Sequence, residues 1–500
     1  MLAHRGVSLR SSMSCSDLCT VLWSRSLSVS RTDDAGLISD VENIIQEMHR
    51  KGFHNLPTLP ALFRLLKGIA SLPSITPSID TAVDALAMSL SQQEGLLKDQ
   101  LQSKQVNFLL YALTESRGAP SGTWRGRKRF LQAMLPIVAK HMNDGRLSRD
   151  TAVSCLRAYA RSCRKSTTTG EQQQQAGDST LGDVDLTRTS QELLARCSPW
   201  ILEVLSESHT LPVTWLTNLL FVYSSSSEAC YSPNAEATPV VLSKVVTMLE
   251  RQVDKIPPIK AGDILSYMAR LGIVSGGGGK LLDFCIENAP PCGRLLRTLC
   301  KLGVTPQQLD SLISRRTEAE AADPQDWLLP MAIAVMTSTS GALTPAMVQL
   351  YQSFGNMATD LTDDARLGLH ILASMSGGNL CSNNSPPPTT PSAPASWAAE
   401  VARLLPDAIT GFTMDNGYTL PVALPREKVS IRLVQPKAHV LDSQTMELSL
   451  SAKYRARQVW LSRLGWTEVC IPMVGWNAMA SDEERLRALT LHGKRFGSLT

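Results

Sequence analysis

The chain has 500 residues, 43% apolar and 19% charged, with a formal net charge of +4. This balance supplies apolar surface for several domains or one extended array and excludes a disordered, highly charged chain; the mild positive charge permits a polyanionic partner without demonstrating one. No apolar run reaches the roughly 18 residues of a membrane-spanning helix, and the eleven cysteines form no C-x-x-C pair or zinc-spaced Cys/His set, so they read as reduced, buried residues and neither a metal site nor a cofactor is expected.

Residues 1–36 carry Arg5, Arg10, Arg25 and Arg31, many serines and a single acid, Asp17, before Asp33. Leu2, Val7, Leu9, Leu18, Val21, Leu22 and Trp23 supply the apolar side of an amphipathic segment. A positive amphipathic helix is drawn to anionic organelle membranes and along an inside-negative potential, so this composition predicts an organelle transit peptide. Arg25-Ser-Leu-Ser28 looks like a matrix-protease cleavage context. The mitochondrial matrix is the expected destination, with a plastid as the alternative and an unstructured N-terminus as the plain reading.

From 37 to 412 the pattern is helix after helix, with almost no alternating strand signal. Short amphipathic helices are expected at Leu59–Leu66, Val106–Leu113, Ala152–Ala160, Trp215–Leu220, Ile264–Gly272, Leu295–Gly303, Leu329–Met336 and Leu367–Ala373. Second stretches open on Thr-Pro at Thr76-Pro77, Thr238-Pro239, Thr305-Pro306 and Thr344-Pro345. Threonine caps the free amides of a helix start, and proline at the first helical position loses no hydrogen bond. Between residues 264 and 375 the first-helix motif recurs every 31 to 38 residues. This predicts about eight degenerate helix pairs stacked as an α-solenoid, with a non-repetitive helical bundle as the alternative.

Segments 165–185 and 379–396, one rich in Thr and Gln and the other in Pro and Ser, are too poor in apolar residues to order themselves and predict flexible insertions. Gly276-Gly-Gly-Gly-Lys280 lacks the spacing of a phosphate-binding loop and reads as a turn.

After Gly411 the texture changes. Val429–Val434 alternates like a strand, and Met446–Leu464 reads as a helix with Leu450, Tyr454, Leu461 and Leu464 on one face. Gly465 suits a left-handed helix end, Thr467–Ile471 returns as a strand, and Ser481-Asp-Glu-Glu484 opens a last helix.

Within 429–491 the chain offers Lys453 and Arg455 on a helix, then Gly465-Trp466, Val469–Ile471 and Pro472-Met-Val-Gly-Trp476, with Pro436 and His439 upstream. This pattern resembles the RAP domain, which occurs in FAST-kinase-like mitochondrial proteins and in many organellar proteins of apicomplexans and algae. The resemblance implies a small α/β, restriction-endonuclease-like module behind helical repeats and a transit peptide. In that fold paired carboxylates and a lysine hold a divalent metal and activate water. The family's acidic positions are here Arg432 and Val434, so no nuclease activity and no catalytic residue is expected; endonuclease action remains the least favoured alternative.

The fold class implied is therefore mainly α: a degenerate helical-repeat α-solenoid followed by a small C-terminal RAP module. Candidate RNA contacts are Lys437, His439, Lys453, Arg455, Arg457 and Arg463 in the module, and Arg125, Arg127, Lys128 and Arg129 in an aromatic-flanked basic run. Arg455 and Arg457 read equally well as a solvated helix face, and Trp466 and Trp476 as core. Arg161, Arg164, Lys165, Arg294, Arg297 and Lys301 are candidates to extend a basic stripe. These residues predict a mitochondrial protein that binds transcripts or ribosomal RNA in processing, stability or assembly. A structural adaptor of a mitochondrial ribonucleoprotein such as the ribosome is the alternative.

Overall fold

A computed structural model describes residues 35–51, 77–92, 125–167, 186–208, 210–225, 237–274, 279–316, 323–338, 341–354, 361–375 and 396–494, with scattered positions between 13 and 110. It is mainly helical, with a small C-terminal sheet region. The chain divides into two units, Met1–Val241 and Leu242–Thr500. Much of 1–36, most of 52–76 and 93–124, and the insertions over 168–185 and 376–395 lie outside the described residues, as does Thr76 of the first Thr-Pro pair.

In the first unit, helices α1 (Ala35–Lys51), α2 (Pro77–Gln92), α3 (Arg125–Asn143), α4 (Arg149–Thr167), α5 (Leu186–Glu207) and α6 (Val213–Ser225) pack in succession: α1 on α2, α2 on α3, α3 and α4 on α5, and α4 on α6. Each does so through the stripe that helical periodicity places on one side. Phe130, Leu131 and Met134 of α3 are buried, as are Val153, Leu156 and Tyr159 of α4, whose hydroxyl donates to the Leu131 carbonyl at 2.7 Å. Ser148 caps α4 by accepting from the Thr151 N–H at 3.3 Å. Ahead of α1, residues 17–22 are helical and bury Leu18 and Leu22, and Thr20 Oγ1 accepts from Arg64 at 2.7 Å.

Helix α7 (Ala237–Arg251) leads into the second unit and takes Thr238 inside its first turn, buried, rather than in front of it. There, α8 (Ala261–Leu271), α10 (Gly293–Leu302), α12 (Pro324–Thr337) and α14 (Asp363–Met375) pack one on the next. Helices α9 (Lys280–Asn288), α11 (Pro306–Ser314) and α13 (Pro345–Ser353) do the same in a second row. Thr305 and Thr344 act as expected. Thr305 forms a full capping box with Gln308, and Thr344 Oγ1 accepts from the Met347 N–H at 3.3 Å. Within the first row, α14 approaches α12 closely at Gly368, where an added Cβ would lie 2.5 Å from the Leu328 carbonyl carbon.

Gly272 ends α8 at φ 64° and releases the chain into β1 (Ile273–Val274). This strand had no alternating signal, being two residues long. It pairs in parallel with β5 (His439–Asp442), which pairs antiparallel with β6 (Leu448–Leu450). The helix expected from Met446 therefore starts later. Asp442 Oδ1 accepts from the Gln444 and Thr445 amides and Met446 takes φ 59°, so the chain reverses and Leu448–Leu450 becomes a strand. Helix α16 (Ala452–Arg463) follows, and it buries Ala452, Ala456, Arg457, Trp460 and Leu461.

The second sheet also begins before Val429. Strands β2 (Ile409–Thr413), β3 (Thr419–Leu424) and β4 (Val429–Val434) run antiparallel, and β7 (Thr467–Pro472) lies parallel to β4 with Ser430 opposite Glu468. Its apolar face, Val429, Ile431, Leu433, Val469 and Ile471, buries Ala398 and Val401 of α15 (Ser396–Leu404), Trp476 of α17 (Met473–Ala478) and Leu489 of α18 (Asp482–Lys494). So residues 396–424 belong with this sheet, although their pattern read as helical repeat to 412. Gly465 ends α16 at φ 77°; the Trp466 amide donates to Leu461 and the Gly465 amide to Ser462, which closes the helix as its sequence predicts. Ser481 accepts from the Glu484 amide at 3.2 Å and starts α18.

Candidate nucleic-acid interface

Strand alternation decides what lies under α16. Residues 429, 431 and 433 of β4 face the apolar core, so Ser430 and Arg432 face the other way, as do Glu468 and Cys470 of β7. Helix α16 covers that polar side and packs its other flank on α10, α12 and α14. It is held there by Trp460, whose Nε1 donates to Ser374 Oγ at 3.1 Å, and by an ion pair between Lys453 and Asp364.

The centre of the polar side is Glu468, whose side chain is wholly buried. Its Oε1 lies 3.1 Å from Arg457 Nη2 and 3.6 Å from Arg432 Nε, and neither contact is aligned as a hydrogen bond. Burial pushes the Glu468 carboxyl up to about 7 against the pull of Arg432. Arg432 itself stays charged: burial disfavours its cation, and Glu468 with Tyr418, Tyr454 and Cys470 outweighs that. Arg457 Cζ sits 5.4 Å over the Tyr418 ring, which stands edge-on to Trp460 and His370. Burial lowers His370 to about 4, so it is neutral in this aromatic cluster.

This arrangement redistributes the candidate residues. Arg457, read as an RNA contact or a solvated face, is 2% exposed and belongs to the core. Its place follows from packing: position 457 shares the buried flank of α16 with Trp460 and Leu461, and the one acid of β7 draws a guanidinium there. Lys453 is turned to Asp364, and Arg463, though exposed, directs Nη1 to the Met375 sulfur. His439 is half-buried at the start of β5. Lys437 and Arg455 are exposed, and among the described residues neither has an ion-pair partner. The Ser451 N–H donates to the Ala438 carbonyl at 2.7 Å, tying the turn that carries Lys437 to the first turn of α16. That turn contains no acid and no side-chain cap, yet holds Lys453 and Arg455 at the positive end of the helix dipole. Trp460, Trp466 and Trp476 are all buried, so none is a stacking platform; Tyr454, half-buried beneath Arg432 and Lys453 at 5.9 and 5.8 Å, is the aromatic nearest these cations on α16.

The second basic run opens α3. Arg125, Arg127 and Lys128 occupy its first turn, and Arg129 donates to Asp84 of α2 at 2.8 Å. The expected stripe on the second row of cations is used between helices: Arg294 donates to Ser266 of α8, and Arg297 pairs with Asp326 of α12 at 2.7 Å. Glu468 and Tyr418 escaped the sequence reading. The available signal was a lone acid in the apolar stretch Thr467–Ile471 facing a strand that carries Arg432.

Among the described residues no group of three or more His, Cys, Asp or Glu side chains is placed to hold a metal ion, and no helix is long and apolar enough to cross a membrane. No protein-family model matches the chain, and no curated protein matches it in sequence.

Proposed function

We propose that the protein binds single-stranded RNA in the mitochondrial matrix, through an α-solenoid and a RAP module, and acts in transcript processing, stability or ribosomal RNA assembly without cutting RNA itself. The observation that carries this reading is the first turn of α16. Two basic residues meet there at the positive end of a helix whose own first turn holds no acid, Arg455 exposed and Lys453 shared with Asp364, and Lys437 stands alongside. Such a turn favours a phosphate oxygen. Two rows of stacked helix pairs give the solenoid reading its support, because repeated pairs offer successive side chains to successive nucleotides.

Hydrolysis is disfavoured by charge. Glu468, the carboxylate on the polar side of the sheet, lies between two guanidiniums, and that environment repels a divalent cation. An adaptor role within an organellar ribonucleoprotein has its own support, since Lys453, Arg457 and Arg463 are turned to protein groups. Crosslinking in intact organelles followed by RNA sequencing separates the two. Nuclease-sensitive RNA crosslinks at Lys437 and Arg455 are expected; crosslinks to protein alone would overturn the proposal.

A further inference from the structure

The helical region contains a cavity that the basic module does not explain. It lies between α2 and α3, has a volume of about 330 Å³, and is walled by Ala87, Met88 and Ser91 from α2 and by Arg129, Gln132 and Pro136 from α3. That volume is at the small end of ligand pockets and suits one flat ring system rather than a peptide or a dinucleotide.

Its walls combine apolar surface with donors and acceptors. Ala87 and Pro136 offer carbon surface, and Met88, half exposed, places a polarisable thioether at the rim. Pro136 lies inside α3 and lacks the N–H that would bond the carbonyl four residues earlier, which is that of Gln132. Gln132, exposed, lines the cavity, and its backbone carbonyl lacks the helical N–H that residue 136 would otherwise supply. Ser91 donates to the Ala87 carbonyl at 3.1 Å and keeps its oxygen lone pairs for a ligand N–H. Arg129 is fixed by one N–H to Asp84 Oδ2, so its remaining donors keep a set direction at the cavity wall.

We infer that this cavity binds one unpaired nucleobase, with Gln132 reading its hydrogen-bonding edge, Ser91 and Arg129 completing the polar rim, and Asp84 acting as a positioning residue for Arg129. The inference rests on the RNA-binding reading and assigns it a base-reading site. Position favours a base over a free metabolite: the first turn of α3, just ahead of the cavity, carries Arg125, Arg127 and Lys128 in sequence, the charge a flanking phosphate needs. A carboxamide is the side chain suited to a base edge that both donates and accepts.

The test measures binding of the full chain to short homopolymers of A, C, G and U by fluorescence anisotropy. The wild-type chain is expected to prefer one base by roughly 5-fold or more, the scale of one bidentate base contact. Gln132→Ala is expected to flatten that preference while leaving the salt dependence unchanged, because no charge is lost. Gln132→Glu, an isosteric side chain that only accepts, is expected to shift the ranking toward G, whose N1–H and exocyclic amine donate side by side, and away from U. Gln132 is exposed, so the melting temperatures of both variants should match the wild type. Wild-type RNA binding with no base preference, or with a ranking that both variants retain, overturns this inference and leaves the RNA reading standing. Absence of binding to every homopolymer removes the RNA reading and this site with it.

Discussion

Arg457 of α16 and Glu468 of β7 stand 3.1 Å apart in the core, the first 2% exposed and the second fully covered. With Arg432 at 3.6 Å, one buried carboxylate serves two guanidiniums and fixes the helix on the polar side of the sheet.

Removing Arg457 alone should be costly, because it takes the nearest cation from a buried carboxylate. Arg457→Met is expected to lower stability by about 3–5 kcal/mol, whereas Arg457→Met combined with Glu468→Gln should cost much less than the sum of the two single changes. Urea denaturation of the four proteins measures both; strict additivity would show that the pair is not coupled.

His370 predicts an acid-sensitive fold. Burial holds it at about 4, below its ordinary value of 6.5, so it is neutral in the folded chain while the unfolded chain takes up a proton. Its contribution is complete above pH 6.5 and is lost as pH falls toward 4, by roughly 3 kcal/mol. His370→Phe preserves the aromatic contacts with Tyr418 and Trp460 and sheds that titration. Between pH 6.5 and 4 the wild type should lose more stability than the variant; parallel curves would refute the assignment.

Gly368 marks the closest approach of α14 to α12. A methyl group there would meet the Leu328 carbonyl carbon at 2.5 Å and the Leu329 amide nitrogen at 2.6 Å, atoms that move only with the backbone. Gly368→Ala should therefore destabilise by about 1–3 kcal/mol despite the better helix propensity of alanine. A rise in melting temperature would contradict that packing.

For RNA binding, Lys437 and Arg455 are exposed basic residues beside the first turn of α16 and, among the described residues, have no ion-pair partner to lose. Lys437→Ala with Arg455→Ala should leave the melting temperature unchanged and reduce the slope of log affinity against log salt by about 1.4, two single-strand phosphate contacts. An unchanged slope would place the phosphates elsewhere.

The helices were legible because apolar spacing and Thr-Pro starts are local: α8, α10, α12 and α14 carry the Ile264, Leu295, Leu329 and Leu367 motifs, and Gly465 ends α16 by the freedom of its own backbone. The strands β2 and β3 were less so, since β2 is an edge strand of half-exposed residues with no clean alternation. Strand β1 has only two residues and exists through its partner β5.

Sequence by itself determined the helical class, the switch to strands near the C-terminus, the helix caps, and a supply of basic residues on α16. Which of those residues meet solvent was decided only by the tertiary structure. Arg455 and Arg457 are two positions apart and chemically identical, yet one is exposed and the other is buried against Glu468. Helical geometry turns neighbours about 200° apart over two residues, and only the packing of α16 between the sheet and the helix row determines which side is inside.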